Sequence, residues 1–576
     1  MRLSTEPDRD DARGLAVLRA ALDAGVTLLD TADAYCLDDS ERGHNERLIA
    51  HAVAGRDVRV VTKGGLTRPG GAWVPDGKAR HLVAAARASR ERLGVDALDL
   101  YLLHAIDPRT ALATSVRALA RIRDDGVARA IGLSNITLHQ LEAAEQLARM
   151  DAVQVELSPW KLDAVRGGLV AACASRGIQL LAHRPLGGPA GVKRAAKDPV
   201  LRAIAERLAA TPCDVVLAWL RALSPVIVPL PGATRVETAQ SAGRALILDD
   251  EALAQLRARF LAIGDTSRST ATRAGEIVLV TGMPGAGKST LAEDFVAKGY
   301  LRLNRDERGG SLLDLARELD AVLAGGADRV VLDNTYGTRA SRAPVIELAH
   351  RHGLAIRCVV LATALEDAQG NAAARVLAQH GRLLEPAELR NGTIGPGAQF
   401  RFRRSYEPPR TDEGFTTVEE VAFTPHPRTG SRPALLVELD DAVWVGRPRT
   451  VDKVRLHASA APALAAWHAA GHVLAATSWQ PGVPREQFAT LVARLEELLG
   501  LTLVTACCTH APGPPVCWCR KPLPGLALAL AREHDLALDR MLCVGRGAAD
   551  KGFARRARIR YHDLATGWPI PDQLGL

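Results

Sequence analysis

Residues 276–299 read EIVLVTGMPGAGKSTLAEDFVAKG: an apolar strand, a glycine-rich loop, then a helix-length amphipathic stretch. Gly282, four intervening residues and Gly287-Lys288-Ser289 complete the spacing of a phosphate-binding loop. Each residue type has a physical reason to be there. Gly282, Gly285 and Gly287 let backbone N–H groups approach anionic oxygens, and Lys288 reaches the outer phosphates. Ser289, followed by Thr290, supplies a hydroxyl for Mg²⁺. The loop opens a helix, whose N-terminal dipole also favours anions. The segment therefore predicts an α/β fold around a nucleoside triphosphate with Mg²⁺.

Toward the N-terminus the pattern changes. Seven strand-like runs recur at 26–32, 58–64, 98–104, 128–135, 152–158, 178–185 and 226–232, separated by stretches long enough for crossover helices. Alternation of this kind over about 250 residues favours a TIM (β/α)8 barrel. The eighth strand should precede residue 14, where only MRLST remains, so the first strand reads as truncated. Barrel chemistry sits at the C-terminal ends of strands. Asp30, Lys63 and His104 fall at such ends, with Tyr35 just past the first of them. Each alone fits a satisfied polar group. Together they suit carbonyl reduction: a cation lowers a tyrosine pKa enough for it to donate a proton, and a histidine orients the carbonyl oxygen.

These residues lie in LLDTADAY (28–35), VVTKGG (60–65) and DLYLLHAIDP (99–108), which with GHNERL (43–48), IGLSN (131–135) and VPLPGATR (228–235) resemble the aldo-keto reductase family over nearly all of 1–262. The resemblance implies a catalytic tetrad of Asp30, Tyr35, Lys63 and His104, with Tyr35 as proton donor to an aldehyde or ketone. It implies that Ser134, Asn135 and Gln154 hold the nicotinamide carboxamide, and that Gly232 and Arg235 grip the adenosine phosphate of NADPH. Gln240-Ser241 departs from the family's Glu-Asn near the adenine.

After the phosphate loop, LRLNRDERGG (301–310), VVLDNTYGTRASR (330–342), QGNAAAR (369–375), HGRLLEPAEL (380–389) and FRFRRSYEPPRTDEGF (400–415) resemble 5′-hydroxyl polynucleotide kinases. That resemblance makes Asp306 the base that takes the acceptor's proton, and Lys288, Arg375 and Arg382 the phosphate-binding cations. Asp333 binds metal or caps a turn. Arg401, Arg403 and Arg404 either track a phosphate backbone or form a solvated strand face. A kinase of a small-molecule alcohol is the alternative, as is a barrel that senses nicotinamide without turnover.

Further on, PALLVELDDAVWVG (433–446), VLAATSWQPGV (473–483), CRKPLPG (519–525) and MLCVGRGAAD (541–550) resemble HAD phosphatases of the histidinol-phosphate and heptose-bisphosphate branch. Two positions depart. Glu438-Leu439-Asp440 replaces Asp-x-Asp, and an added methylene moves a nucleophile by on the order of 1 Å. Val544-Gly545-Arg546 puts a cation where a metal ligand is expected, so Arg546 is expected to fill the metal site, with Thr477 and Lys521 left to bind phosphate. A degenerate, HAD-like Rossmannoid α/β domain follows. Cys508, His510, Cys517 and Cys519 are a Cys₃His set with the make-up of a structural Zn²⁺ site, the alternative being reduced packing cysteines.

Length agrees with this division. The chain has 576 residues, and cores stop growing near ~250–300. Small, polar or Pro-rich stretches at 263–275 and 424–433 read as linkers. They leave units at 1–262, 276–424 and 434–576, the second linker proper being 425–433. Charged residues at 24% and hydrophobic ones at 47% exclude a disordered or fibrous chain. A net charge of +8 allows nucleic-acid 5′ ends, RNA or DNA, as partners. With no 18-residue apolar run and no signal-like N-terminus, a cytoplasmic location without membrane contact is expected. Nine cysteines, four of them between 507 and 519, suggest metal before disulfide in such a compartment.

Overall fold

The computed structural model describes residues 1–263, 273–390, 395–423, 430–513 and 517–571. The linkers expected at 263–275 and 424–433 fall mostly on 264–272 and 424–429, outside the described residues.

The seven apolar runs become strands: β1 (Leu28–Asp30), β2 (Arg59–Gly64), β3 (Leu100–Leu103), β4 (Ile131–Ser134), β5 (Ala152–Glu156), β6 (Gln179–His183) and β7 (Ile227–Leu230). They pair in chain order, all parallel. At ~4.8 Å per strand, β1 and β5 of a flat sheet would lie about 19 Å apart. Gln154 on β5 nevertheless donates to Asp30 Oδ1 on β1 at 2.7 Å. The sheet is thus curled into a nearly closed (β/α) barrel. Where a remnant of another strand was expected, Arg2–Thr5 is a helical turn, and its buried Ser4 accepts from Asn45 Nδ2 at 2.8 Å.

Strand period positions the site. Alternate residues point inward, and Leu28, Val61, Leu102, Ala152 and Leu181 meet in one apolar cluster at the barrel axis. Two residues further along the same strands, or just past their ends, stand Asp30, Lys63, His104, Gln154 and His183. The polar ring is one layer above the apolar floor. A larger cluster between strands and surrounding helices closes the outside. Those helices begin on sequence signals, such as the Thr211–Asp214 capping box with Pro212 in the first turn.

The second sheet holds β8 (Glu276–Thr281), β9 (Leu301–Leu303), β10 (Arg329–Asp333), β11 (Ala355–Ala362) and β12 (Thr417–Ala422), parallel in the order β9-β10-β8-β11-β12. The central β8 feeds the phosphate loop and helix α1 (Lys288–Ala297); β9 feeds α2 (Arg305–Arg308). Ligands of such sheets bind beyond the carboxyl ends of the strands, where these loops are. Helix α3 (Leu365–His380) follows β11.

The third sheet holds β13 (Arg432–Glu438), β14 (Val473–Trp479), β15 (Val504–Cys508), β16 (Leu536–Gly545) and β17 (Arg560–Asp563), parallel in the order β15-β14-β13-β16-β17. Helices α4 (Gly525–Glu533) and α5 (Ala548–Ala557) cover one side. Their apolar cluster also takes in Ala372, Ala373, Val376 and Leu377 of α3. No helix among the described residues is long and apolar enough to cross a membrane.

Candidate functional site

At the barrel mouth the structure brings Asp30, Tyr35, Lys63 and His104 together. Lys63 Nζ donates to Asp30 Oδ2 at 2.8 Å and to the Thr31 carbonyl at 2.6 Å, and stands 3.4 Å from the Tyr35 hydroxyl. Lys63 has no solvent exposure. Burial works against its charge, yet Asp30 and Tyr35 outweigh it and hold its pKa above the ordinary value. Lys63 does pull the Tyr35 phenol down, as expected, but burial is the larger influence and the net direction is up. The phenol therefore stays protonated and able to donate. Burial, then Lys63, drives His104 well below its usual value, so the ring is neutral. Its Nδ1 is buried without a partner, while its ring meets Tyr35 edge-on at 5.5 Å between centroids.

Ser134 and Gln154 are buried and paired on neighbouring strands. Asn135, at a left-handed φ of 59°, donates to the His104 carbonyl at 3.0 Å, and its Oδ1 lies 3.1 Å from His183 Nε2. Gly232 and Arg235 lie on the exposed rim after β7. A side-chain carbon added at Gly232 would meet nothing within 4 Å.

In the second sheet Gly285 and Gly287 have φ of 86° and 98°, a region that disfavours side chains. Gly285 has a second reason: an added Cβ would stand 2.2 Å from the Ala368 carbonyl of α3. Loop carbonyls are held from outside. Asn371 donates to Gly285 O at 3.0 Å, Gln399 to Pro284 O at 3.2 Å and Thr363 to Ala286 O at 2.8 Å. Lys288 Nζ donates to the carbonyls of Gly282 and Met283 at 2.9 and 3.0 Å. Burial, then Arg375, lowers its pKa to about 8, against Asp333 and Asp306. Ser289 and Thr290 are exposed in the first turn of α1.

The acidic and lid residues divide. Asp306 is exposed on α2, 2.9 Å from Arg305, and Arg375 is near enough to feel its charge. Arg382 does not join them: it forms a two-pronged pair with Glu388, at 3.0 and 2.6 Å. Asp333 is taken by Arg302, at 3.0 and 2.8 Å. Arg401, Arg403 and Arg404 are exposed on the helix Gly397–Ser405 rather than on a strand.

At the carboxyl end of β13, Glu438 pairs closely with Lys521, which also donates to Asp550 Oδ1 at 2.7 Å. Burial raises the Glu438 pKa to about 7 despite that lysine. Asp440 is saturated by Ser478, Gln480 and Trp444, at 3.0, 3.1 and 3.0 Å, and by Arg447 at 3.2 Å. Arg546, expected in the metal position, has an exposed side chain; only its backbone N–H reaches Asp550, at 2.8 Å. In this acidic pocket Lys521, not Arg546, pairs with both Glu438 and Asp550. Thr477, 3.5 Å from Glu438, faces the same pocket.

Cys508, His510, Cys517 and Cys519 converge, their ligand atoms all within 4.8 Å of one another. Measured edges are 3.9 Å (Cys508–Cys517), 3.3 Å (Cys508–Cys519), 3.1 Å (His510 Nδ1–Cys519) and 3.6 Å (His510 Nδ1–Cys508). A tetrahedron with ~2.3 Å zinc–sulfur bonds has edges of roughly 3.8 Å. The donor set fits Zn²⁺ in size and softness. Cys507 is no part of it.

Sequence reasoning missed several residues. His183 was within reach, since it sits two positions after the floor residue Leu181. Trp73, which meets Tyr35 and His104 at 6.4 and 6.3 Å and stacks under Arg68 at 3.8 Å, lies in a loop without pattern. Arg302, Asn371 and Gln399 act through pairings between distant segments.

Comparison with known proteins agrees with the barrel. Residues 1–259 match the Aldo/keto reductase family model, and 277–387 match an AAA domain model. An uncharacterized oxidoreductase of Schizosaccharomyces pombe is 29% identical over 230 residues, 40% of this chain and 72% of that protein. A thermostable aldo-keto reductase solved with the inhibitor epalrestat is 28% identical, with TM-score 0.38, covering 44% of this chain and 89% of its own. An aldo/keto reductase from Klebsiella pneumoniae, solved with NADP and acetate, is 24% identical with TM-score 0.37, over 43% and 86%. The N-terminal unit thus matches the aldo-keto reductase family model, in one chain with a unit that matches an AAA domain model.

Proposed function

We propose that the chain comprises three units, 1–262, 276–424 and 434–576: an NADPH-dependent reductase of aldehydes or ketones, an ATP-dependent 5′-hydroxyl polynucleotide kinase, and a HAD-like phosphatase module without turnover that carries a structural Zn²⁺. The observation that carries the first part is the buried Lys63, bonded to Asp30 and adjacent to Tyr35, beside a neutral His104 with a free Nδ1. Bound NADPH supplies the hydride. Tyr35 gives its proton to the carbonyl oxygen, Lys63 stabilises the phenolate left behind, and His104 orients the oxygen. Ser134, Asn135 and Gln154 are suited to a carboxamide, and the exposed Arg235 to a phosphate. Consumption of reduced nicotinamide across a panel of aldehydes and ketones tests this; cofactor binding with no turnover would favour a sensing scaffold.

For the kinase, the supporting observation is the glycine loop braced from outside with Lys288 beneath it and Asp306 open to solvent. Asp306 takes the acceptor hydroxyl's proton, while Lys288 and Arg375 hold phosphate oxygens; Arg382 would have to leave Glu388 to join them. Transfer of labelled phosphate from ATP to 5′-OH oligonucleotides, competed with small alcohols, decides the acceptor. The match to a general AAA domain model is the observation that keeps a small alcohol as the second reading. For the third unit, the Lys521-filled pocket and saturated Asp440 support loss of phosphatase turnover, and the Cys₃His geometry supports zinc.

A further inference from the structure

His510 has two ring nitrogens with different duties. Nδ1 faces the sulfurs of Cys508 and Cys519. Nε2 points out of the C-terminal unit and lies 2.8 Å from Glu385 Oε2, which belongs to the segment following α3. A metal-ligating histidine generally hands its other N–H to a carboxylate, which fixes tautomer and ring angle and strengthens the ligand. Here that carboxylate comes from the phosphate-loop unit, about 125 residues away in the chain. Its other oxygen, Oε1, accepts from Arg485 at 3.0 Å, and its backbone N–H donates to Glu388, so the carboxylate is held in place.

The contact is not isolated. Trp518, between two of the cysteines, is fully buried in the same cluster as Val376 and Leu377 of α3. At the other end of α3, Arg558 Nε donates to Asp367 at 2.9 Å and Arg556 Nε to Gln369 at 2.6 Å. The same helix presses on the phosphate loop through Asn371, which also accepts from Arg558 at 3.4 Å, and through the Gly285–Ala368 approach. One helix is shared between loop and metal centre.

We infer that Glu385 is a positioning residue for the Cys₃His metal centre, and that through it and Trp518 metal loading seats α3 against the phosphate loop, so that metal and nucleotide strengthen each other's binding. This rests on the reading of the four residues as a zinc site. Coupling is reciprocal: whatever factor zinc adds to nucleotide affinity, nucleotide must add to zinc affinity. Typical couplings are about 5–150-fold.

The test uses the full chain. Wild type, Glu385→Gln, Glu385→Ala and Cys508→Ser are assayed for zinc content, for zinc affinity by chelator competition, for the cobalt-substituted absorption spectrum, and for affinity toward a fluorescent non-hydrolysable ATP analogue. The expected result is about one zinc in wild type and roughly 10–100-fold weaker zinc in Glu385→Ala. Glu385→Gln, which keeps a neutral acceptor, should fall between, and both should retain the tetrahedral cobalt spectrum that Cys508→Ser loses. Stripped wild type should bind the analogue several-fold more weakly, and the analogue should slow zinc loss by a matching factor. Equal zinc affinity in wild type and Glu385→Ala, or analogue binding indifferent to stripping, overturns the inference while leaving the zinc site standing. Wild type that holds no zinc overturns the zinc reading itself, and the inference with it.

Discussion

Tyr35→Phe removes one oxygen from the barrel mouth, and the geometry separates its chemical from its structural effect. The hydroxyl's contact with Lys63 is long, at 3.4 Å, whereas Lys63 keeps its 2.8 Å bond to Asp30 and its 2.6 Å bond to Thr31 O. The ring keeps its edge-on contacts with Trp73 and His104. Loss of a weak bond from a buried group that costs desolvation should change stability by no more than about 1 kcal/mol. Loss of the general acid should slow reduction by ~10²–10⁴-fold, or about 2.7–5.5 kcal/mol of barrier. The assay is single-turnover loss of reduced nicotinamide, run beside cofactor binding by fluorescence and a urea unfolding curve. Lys63→Met makes the contrast: it takes the cation from a partly buried Asp30, leaving it only Gln154, and should cost up to about 3–5 kcal/mol of stability together with activity. Tyr35→Phe that reduces substrate within threefold of wild type would refute the assignment of the proton donor. A loss of activity matched by an equal loss of stability would refute the separation.

Asp306→Ala should lower phosphoryl transfer by about 10²–10⁴-fold while leaving nucleotide affinity within a factor of two or so, since Asp306 is exposed and bonded only to Arg305; titration with the ATP analogue and a transfer assay check both. Lys288 gives a pH signature. Its free-state pKa is lowered to about 8 from 10.5, mainly by burial, and bound phosphates should raise it again. Nucleotide binding should then take up a proton between those values and weaken as pH rises through 8, by up to tenfold per unit; calorimetry in buffers of different ionisation enthalpy measures it, and Lys288→Arg should abolish the uptake. In the ligand-free protein the same depressed pKa is a destabilising contribution below pH 8 that fades as pH rises. Lys521→Met should leave Glu438 and Asp550 facing each other and cost about 3–5 kcal/mol. Because the Glu438 pKa is already raised to about 7, folding favours its protonated form. The loss should therefore be larger near pH 8 than near pH 5, as read from urea midpoints.

What was legible followed from local pattern. The seven barrel strands stand where apolar runs mark them, because a parallel strand buried on both faces must be apolar throughout. Asp30, Lys63 and His104 could be placed because barrel chemistry sits at the C-terminal ends of strands; strand period, which returns to the same face every second residue, also reaches His183 from Leu181. The glycine loop was legible because its conformation demands glycine at 285 and 287. Occupancy was not legible. Whether Asp333 is free depends on β9 lying beside β10, which brings Arg302 to it. Whether Arg546 or Lys521 fills the acidic pocket depends on where a distant loop returns.

Glu385 makes the same point at the scale of the whole chain. In LLEPAEL it is one of two acidic residues in a lid-like stretch, with no period and no motif to distinguish it from Glu388. Its partner nitrogen is assigned only once His510 turns Nδ1 toward three sulfurs, and that orientation depends on a loop folded in another unit. The two glutamates divide the work: Glu388 pairs with Arg382, while Glu385 reaches His510 of the Cys₃His cluster. A nucleotide that drew Arg382 toward its phosphates would break the Glu388 pair, and Glu388 also accepts from the Glu385 backbone N–H at 2.7 Å. The lid arginine and the metal's outer partner are thus joined through a single carboxylate. With zinc saturating, Glu388→Ala should raise analogue affinity by freeing Arg382; without nucleotide, it should weaken zinc, measured by chelator competition, by loosening Glu385. Unchanged zinc affinity in that variant would show that the carboxylate does not join them.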